Sequence, residues 1–419
     1  MDWREYLRHF AILLSGTAAA LALNLAAYPL LARLYSPADF GGFAIIVAAS
    51  AIPGAIACGR FELAVPTAPH WGRHAILWLC ITIGFAAGIL STAGAALWWW
   101  WQALPHGAIM APLLGLCVFL TGFTAAAQLY LMRHDRYRLA SLSLVVRTGG
   151  TVVAQALLAL VARDSLSLVI GYAAGFLAQG AMLAAALLQI GAGRPHRARM
   201  RAMFRRYRRQ VSIDIPSTFI AALGLNLMTF FLLSLFNQRT LGFYSLANRI
   251  AIVPLQLFND ALGQVFFQKA ARSQERTGSF WSEMKFNVVT SGAISVAVLV
   301  GIWLLATPFI TLYLGRQWAP SAQMLLILAP MLAMRSLCMS VATAVFVLKR
   351  PQWLLYHNLA NAAVQGAAFA IGWASGMGVT QFLALAAALL FAEYLAFAIV
   401  LIVIARAGAR ASGTSAALR

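Results

Sequence analysis

Long apolar segments, twelve in all, dominate this sequence and restrict what it can fold into. Hydrophobic residues make up 62% of the 419 positions, and only 10% of the residues are charged. A helix needs about 20 mainly apolar residues to cross the hydrocarbon of a bilayer. The pattern therefore predicts an all-α integral membrane protein with about twelve transmembrane helices.

The first half of the sequence is partly repeated in the second half. Leu31–Pro53 aligns without gaps with Leu232–Pro254, so that Gly41 lies opposite Gly242 and Pro53 opposite Pro254. Few aligned residues are identical, but the same turn, helix start and proline recur. Many transporters consist of two such repeats around a central site. We predict two six-helix lobes at 1–190 and 213–405, joined by a basic cytoplasmic linker at 191–212, with a cytoplasmic tail at 406–419.

The net charge of +20 has a distribution typical of membrane topology. Of the 31 Lys and Arg residues, 24 lie in the N-terminus, the even-numbered loops and the C-terminal tail. An excess of Lys and Arg marks the cytoplasmic side of a membrane protein. We therefore predict that both termini are cytoplasmic and that the charge does not indicate a nucleic-acid partner.

The loop Arg194–Gln210 holds eight of these arginines. Positive-inside anchoring combined with a linker between the lobes explains such a composition. An interfacial helix that attracts anionic lipid headgroups explains it as well. The two interpretations are compatible, and membrane lipid is a predicted partner in both.

Several enzyme classes are disfavoured by what the sequence lacks. It has no GxxxxGK[ST], HExxH or GxSxG motif, and its four cysteines show no metal-ligand spacing. We predict no enzymatic activity, no cofactor and no metal. A membrane glycosyltransferase or glycan polymerase stays an alternative, with Asp39 in the first outer loop as its acid, although Ser36-Pro37-Ala38-Asp39 is also typical of a turn and helix start.

Polar residues recur at helical spacing inside several predicted spans. In the fifth span Ser143, Arg147, Thr151 and Gln155 are four residues apart and share one helix edge. Such residues either connect helices by hydrogen bonds or line a hydrated cavity. Their number favours a cavity between the lobes, lined by Arg249, Arg147, Arg335, Gln155, Asn24, Asn248, Gln256 and Asn361.

The three arginines inside the spans indicate an anionic substrate. Guanidinium is always charged, and its fork of donors matches phosphate oxygens. The alternative for each arginine is an ion pair with Asp214, Asp260 or Glu393, and Glu393 could instead carry a coupling proton.

Proline interrupts the second and the eighth span at matching positions. Proline removes a backbone hydrogen bond and bends a helix. Pro53 and Pro254 are therefore predicted hinges for alternating access.

Three stretches resemble a known family: LARLYSPADFGGFAI (31–45), GRFELAVPTA (59–68) and GFYSLANRIAIVPLQLFNDALGQVFFQKAA (242–271). They are similar to the polysaccharide transporter family, which includes the Wzx-type O-antigen flippases of the multidrug/oligosaccharidyl-lipid/polysaccharide (MOP) exporter superfamily. The resemblance implies a MATE-like fold in the bacterial inner membrane. It also implies that a polyprenyl-diphosphate-linked oligosaccharide is moved from the inner to the outer leaflet. Arg249 and Arg60 match basic positions of the family.

The resemblance leaves alternatives within membrane transport. A multidrug exporter of the same superfamily would be expected to offer carboxylates and aromatic rings to cations, whereas the intramembrane residues here favour arginine. A scaffold without transport activity is disfavoured by the repeated polar stripes. We expect a monomeric transport unit, whose apolar surface would allow contact with glycan polymerase and chain-length regulator proteins.

Overall fold

The described part of the chain consists of helices and their connections. A computed structural model describes residues 3–102, 107–191, 193, 196–350 and 352–417, with side chains except at 3–11, 13, 14, 101, 102, 107, 210, 213, 253, 254, 256–261 and 408–417. Within these ranges the long helices are α1 Trp3–Leu34, α2 Pro37–Ala55, α3 Arg73–Gln102, α4 Gly107–Arg133, α5 Tyr137–Leu158, α6 Ser165–Gln189, α7 Arg197–Leu235, α8 Gln238–Thr277, α9 Trp281–Tyr313, α10 Ala319–Ala342, α11 Gln352–Ser375 and α12 Val379–Ala417.

The twelve long helices confirm the predicted class of an all-α, multi-pass membrane protein. In the described part of the chain, ten of them are long and apolar enough to cross a membrane. The two that are not among the ten are α8 and α11. Both carry polar residues that the sequence analysis placed inside spans, such as Arg249 on α8 and Asn361 on α11.

The chain divides into two compact units, residues 1–229 and 230–419. The boundary lies inside α7, later in the sequence than the predicted start of the second lobe. Most of the segment predicted as a linker, 191–212, lies in α7, and the predicted lobe bounds stay predictions. Met203 and Val211 of that helix are buried in an apolar cluster of the first unit. The segment therefore packs as part of the first unit.

The two aligned segments begin their helices in the same way. Helix α1 ends at Leu34 and α2 begins at Pro37, and the aligned residues Leu235 and Gln238 end α7 and begin α8. In each case a side chain caps the second helix: the Ser36 hydroxyl accepts from the Asp39 N–H, and the Asn237 carbonyl accepts from the Thr240 N–H. The matching caps support the duplication inferred from sequence.

Asp39 completes the cap of α2. Its carboxylate accepts the Ser36 backbone N–H at 2.9 Å and the Ser36 hydroxyl, which makes a reciprocal capping box. This contact gives Asp39 a structural role at the position that the polymerase alternative would use for an acid.

The two predicted hinge prolines lie in different surroundings. Pro53 is in the last turn of α2, which ends at Ala55 and is followed by two residues with positive φ, Gly59 (57°) and Arg60 (61°). The backbone hydrogen bond that Pro53 cannot donate is therefore missing from the last turn of a helix that ends at Ala55. Helix α8 continues through position 254, where the side chain of Pro254 lies outside the described residues. The hinge roles stay predictions.

Candidate functional site

The polar stripe of α5 forms contacts between helices. Gln155 is only 3% exposed, and its carboxamide donates to the Leu168 carbonyl of α6 at 2.8 Å. Ser143 is fully buried and accepts hydrogen bonds from Gln128 and Gln179. The Gln155 side chain therefore connects α5 to α6, and its predicted place at a cavity stays a prediction.

Arg147 lies in the middle of the same stripe and is half-buried. Its guanidinium lies over the Phe176 ring of α6, 5.0 Å from the ring centroid. A cation over an aromatic face is stabilised by the ring quadrupole. The first unit therefore holds Arg147 by a cation–π contact, with no carboxylate of the described residues within 4.0 Å of it.

At the end of α2, Arg60 forms an ion pair with Glu62, with 3.2 Å between Nη1 and Oε1. Glu62 is buried, and this burial raises the pKa of its carboxyl, while Arg60 lowers it and Asp214 raises it further. Arg60 therefore has a partner in its own loop. Asp214 lies close to this pair and makes no ion pair with a described residue.

Three further predicted residues are half-buried, Asn24 on α1 and Asn248 and Arg249 on α8. Arg249 has an interaction partner within the structure. The side chains of Gln256 and Asp260 lie outside the described residues. The substrate contacts predicted for these residues stay predictions.

The second unit contains a cavity of about 520 Å³ between α8 and α10. Its walls are mainly apolar, with Leu332, Met339 and Phe346 from α10 and the short turn after it. Polar side chains also reach it, and the described lining residues are Ile252, Leu255, Gly263, Gln264, Phe267, Leu332, Arg335, Ser336, Met339, Thr343 and Phe346. Among these lining residues Arg335 carries the charge and there is no carboxylate.

Arg335 is the predicted residue that the structure places at this cavity. It lies near the side chains of Tyr244 from α8 and Tyr394 from α12. A phenol is not a carboxylate, so neither tyrosine offers Arg335 an ion-pair partner. Sequence reasoning missed both tyrosines, because an aromatic residue in an apolar helix is most often simply packed.

Glu393 is held by a buried polar network between α11 and α12. Its Oε1 lies 2.7 Å from His357 Nδ1, and its Oε2 accepts from Asn361 at 3.3 Å. Gln365 donates to Asn361 at 2.8 Å, and Tyr394 is hydrogen-bonded to Asn361. The carboxylate was expected to pair with an arginine or to carry a proton, and the partner in the structure is a histidine that the sequence analysis did not single out.

The network also uses Asn361, which was predicted to line a cavity. The side chains of His357 and Glu393 are 3% and 8% exposed. Such burial of polar groups is stable only when their hydrogen bonds are satisfied. The network therefore holds α11 and α12 together, next to the helix that carries Arg335.

The cavity combines one guanidinium with hydroxyl and amide groups and a wide apolar surface. Arginine can bind phosphate oxygens through two parallel hydrogen bonds. The apolar walls can take a hydrocarbon chain, and Ser336, Thr343 and Gln264 can exchange hydrogen bonds with hydroxyl groups. The arrangement suits an amphipathic anion, and it has no described acid to attract a cation.

Comparison with known proteins gives a consistent fold. A family model described as "Polysaccharide biosynthesis protein" matches residues 30–323. One similar structure is the inward-facing conformation of a multidrug resistance MATE family transporter of the MOP superfamily, with 16% identity, coverage of 96% of this chain and 95% of that chain, and a TM-score of 0.63. Another is the lipid II flippase MurJ in an inward closed conformation, with 12% identity, coverage of 94% of this chain and 87% of that chain, and a TM-score of 0.68.

A MOP superfamily transporter from Pyrococcus furiosus is similar to the same degree, with 16% identity over 97% of this chain and 96% of that chain and a TM-score of 0.64. At identities of 12–16%, these structures show that the chain has a similar fold. No curated protein matches the sequence.

Proposed function

Because this chain belongs to the polysaccharide biosynthesis protein family, we propose that it is a flippase for a polyprenyl-diphosphate-linked oligosaccharide. The cargo is an O-antigen, capsule or exopolysaccharide repeat unit, and it moves from the cytoplasmic to the outer leaflet of a bacterial inner membrane. No covalent bond changes in this process, which agrees with the predicted absence of enzymatic activity.

The observation that carries this proposal is Arg335 in the cavity between α8 and α10. A diphosphate needs a cation that stays charged in the membrane, and arginine meets that need because its guanidinium does not lose its proton in proteins. The prenyl chain needs apolar surface, which most of the cavity wall offers. The volume of about 520 Å³ lies within the usual range of small-molecule binding pockets.

In the proposed mechanism the cavity is open first to one leaflet and then to the other. Arg335 binds the diphosphate, the hydroxyl and amide groups near it bind sugar hydroxyls, and the prenyl tail stays in the bilayer. Release on the far side follows when the next reaction consumes the cargo or when an ion gradient drives the return. Arg147 and Arg249 are proposed to contact the diphosphate at other stages.

A multidrug exporter of the same superfamily is the second candidate, and the MATE fold favours it. A cationic drug would be attracted by a carboxylate, and the described lining of the cavity offers a guanidinium instead. We therefore place drug export second.

Separate quantification of lipid-linked glycans on the two leaflets tests the proposal. Cells that lack this protein should accumulate complete repeat units on the inner leaflet, and the wild-type chain should relieve the accumulation. Complete but unpolymerised units on the outer leaflet would contradict the proposal and indicate a polymerase. Unchanged lipid-linked glycans would also contradict it and indicate drug export.

We further propose that the end of the first unit that holds the arginines of α7 faces the cytoplasm. All four native cysteines are buried, so a membrane-impermeant maleimide should report mainly on an introduced thiol. In intact cells we expect labelling of Arg316→Cys, in the exposed turn between α9 and α10, and no labelling of Ala202→Cys on α7. Permeabilised cells should label both variants. The opposite pattern in intact cells would overturn the orientation.

A further inference from the structure

The first segment of α7, residues 197–209, is amphipathic in the structure. Its apolar side faces the first unit, where Met203 is fully buried and Met200 and Tyr207 pack partly buried against the same apolar cluster. The Phe204 ring lies 5.4 Å from the Phe61 ring, measured between centroids. The segment is thus fixed along one side by packing that does not involve its arginines.

The opposite side of this segment is a continuous arginine surface. Seven arginines are exposed on it: Arg197, Arg199, Arg201, Arg205, Arg206, Arg208 and Arg209. None of them lies within 4.0 Å of a carboxylate oxygen among the described residues. So many neighbouring cations without counter-charges repel one another, and a polyanionic surface would relieve the repulsion.

The packing contacts place this segment beside the ends of spanning helices. The Met203 side chain packs on Gly72, immediately before α3. The connection that precedes α7 is held at the same end, where Trp78 Nε1 donates to the Gly193 carbonyl at 2.6 Å and Gly193 N–H donates to His74 Nδ1 at 3.2 Å. Because α3 begins its apolar span in this region, the segment lies beside the end of a helix that can cross a membrane.

We propose that the exposed arginines of residues 197–209 bind the headgroups of anionic phospholipids in the surrounding bilayer. Lysine and arginine side chains near a membrane surface each strengthen binding to anionic lipid by about fivefold, and the effect decays within the screening length. Arginine also binds a phosphodiester through two hydrogen bonds. The proposal does not depend on the transported cargo, so it can fail or hold separately from the flippase function.

Lipid retention by the purified full-length protein tests this inference. The protein is equilibrated in mixed micelles of phosphatidylcholine and phosphatidylglycerol, and the lipids that stay bound after purification are quantified by mass spectrometry. The test variant replaces Arg197, Arg201, Arg205 and Arg208 by glutamine. The matched control replaces four other exposed arginines, Arg136, Arg138, Arg272 and Arg276, and changes the net charge equally.

We expect the test variant to retain at least threefold less phosphatidylglycerol than the wild type, with unchanged phosphatidylcholine. The control variant should stay close to the wild type, and 0.5 M NaCl should reduce the difference because salt screens exposed charges. Equal retention by the wild type and the test variant would overturn the proposal. Equal losses in both variants would overturn it too, since net charge alone would then explain retention. A loss of binding to a DNA oligonucleotide without any loss of phosphatidylglycerol would indicate a nucleic-acid surface instead.

Discussion

Replacing Arg335 by alanine is expected to reduce export of the lipid-linked glycan by roughly 10- to 100-fold while the protein still inserts normally. A hydrogen bond to a charged group contributes about 1.5–3 kcal/mol, and each 1.4 kcal/mol is a factor of about ten. Arg335 is the charged residue among the described lining of the cavity, so no other described lining residue can take over the diphosphate. The measurement is rescue of surface glycan in cells that lack the native protein, normalised to the amount of protein in the membrane.

Two further variants separate the role of the guanidinium from simple packing. Arg335→Lys keeps the charge but loses the fork of donors, and we expect it to retain part of the activity. Met339→Leu, at the same cavity, conserves volume and should export at nearly the wild-type rate. Full export by Arg335→Ala at normal protein levels would remove this cavity from the transport path.

Replacing His357 by alanine is expected to destabilise the second unit. The change removes the 2.7 Å contact with Glu393 and leaves the carboxyl with Asn361 as its remaining partner there. The expected loss of free energy of unfolding is about 1 kcal/mol if the Glu393 carboxyl is neutral, and up to about 5 kcal/mol if it is a buried charge without its partner. Thermal unfolding of the detergent-solubilised protein should show a lower Tm, by several degrees.

A double-mutant cycle shows whether the loss comes from the pair itself. The double variant His357→Ala/Glu393→Gln should lose less free energy of unfolding than the two single variants lose together, because the glutamine no longer needs a counter-charge. Tyr356→Phe, at the exposed neighbouring position, should leave the Tm unchanged. Strict additivity of the two single variants would show that His357 and Glu393 act independently.

The arrangement of helices could be predicted because the signals for it are local. Apolar runs of sufficient length predicted the twelve long helices, and Ser36-Pro37-Ala38-Asp39 predicted the start of α2. The repeat alignment predicted the start of α8 as well, where Asn237 serves as the cap. Each of these features depends on residues that are close in sequence.

The candidate site was less predictable because its contacts join distant segments. The stripe from Ser143 to Gln155 has the periodicity of a cavity wall, and periodicity identifies a helix face without identifying what covers it. In the structure α6 covers much of that face. His357 gave no signal, since its partner Glu393 lies on another helix. Arg335 was recognised by its chemistry alone, because a guanidinium inside a membrane is costly wherever it lies.

The matching caps of α2 and α8 bear on how such a chain could have evolved. Ser36 and Asn237 occupy equivalent positions, so the two halves can descend from one ancestral gene that encoded six helices. An even number of crossings returns a chain to the side on which it began, and two copies of such an ancestor would insert in the same orientation. Gene fusion would then have needed no change of topology, and each half could afterwards have diverged on its own. The second half has since diverged to contain the cavity arginine, and the helix that aligns with α1 has gained an arginine-rich first segment, residues 197–209 of α7.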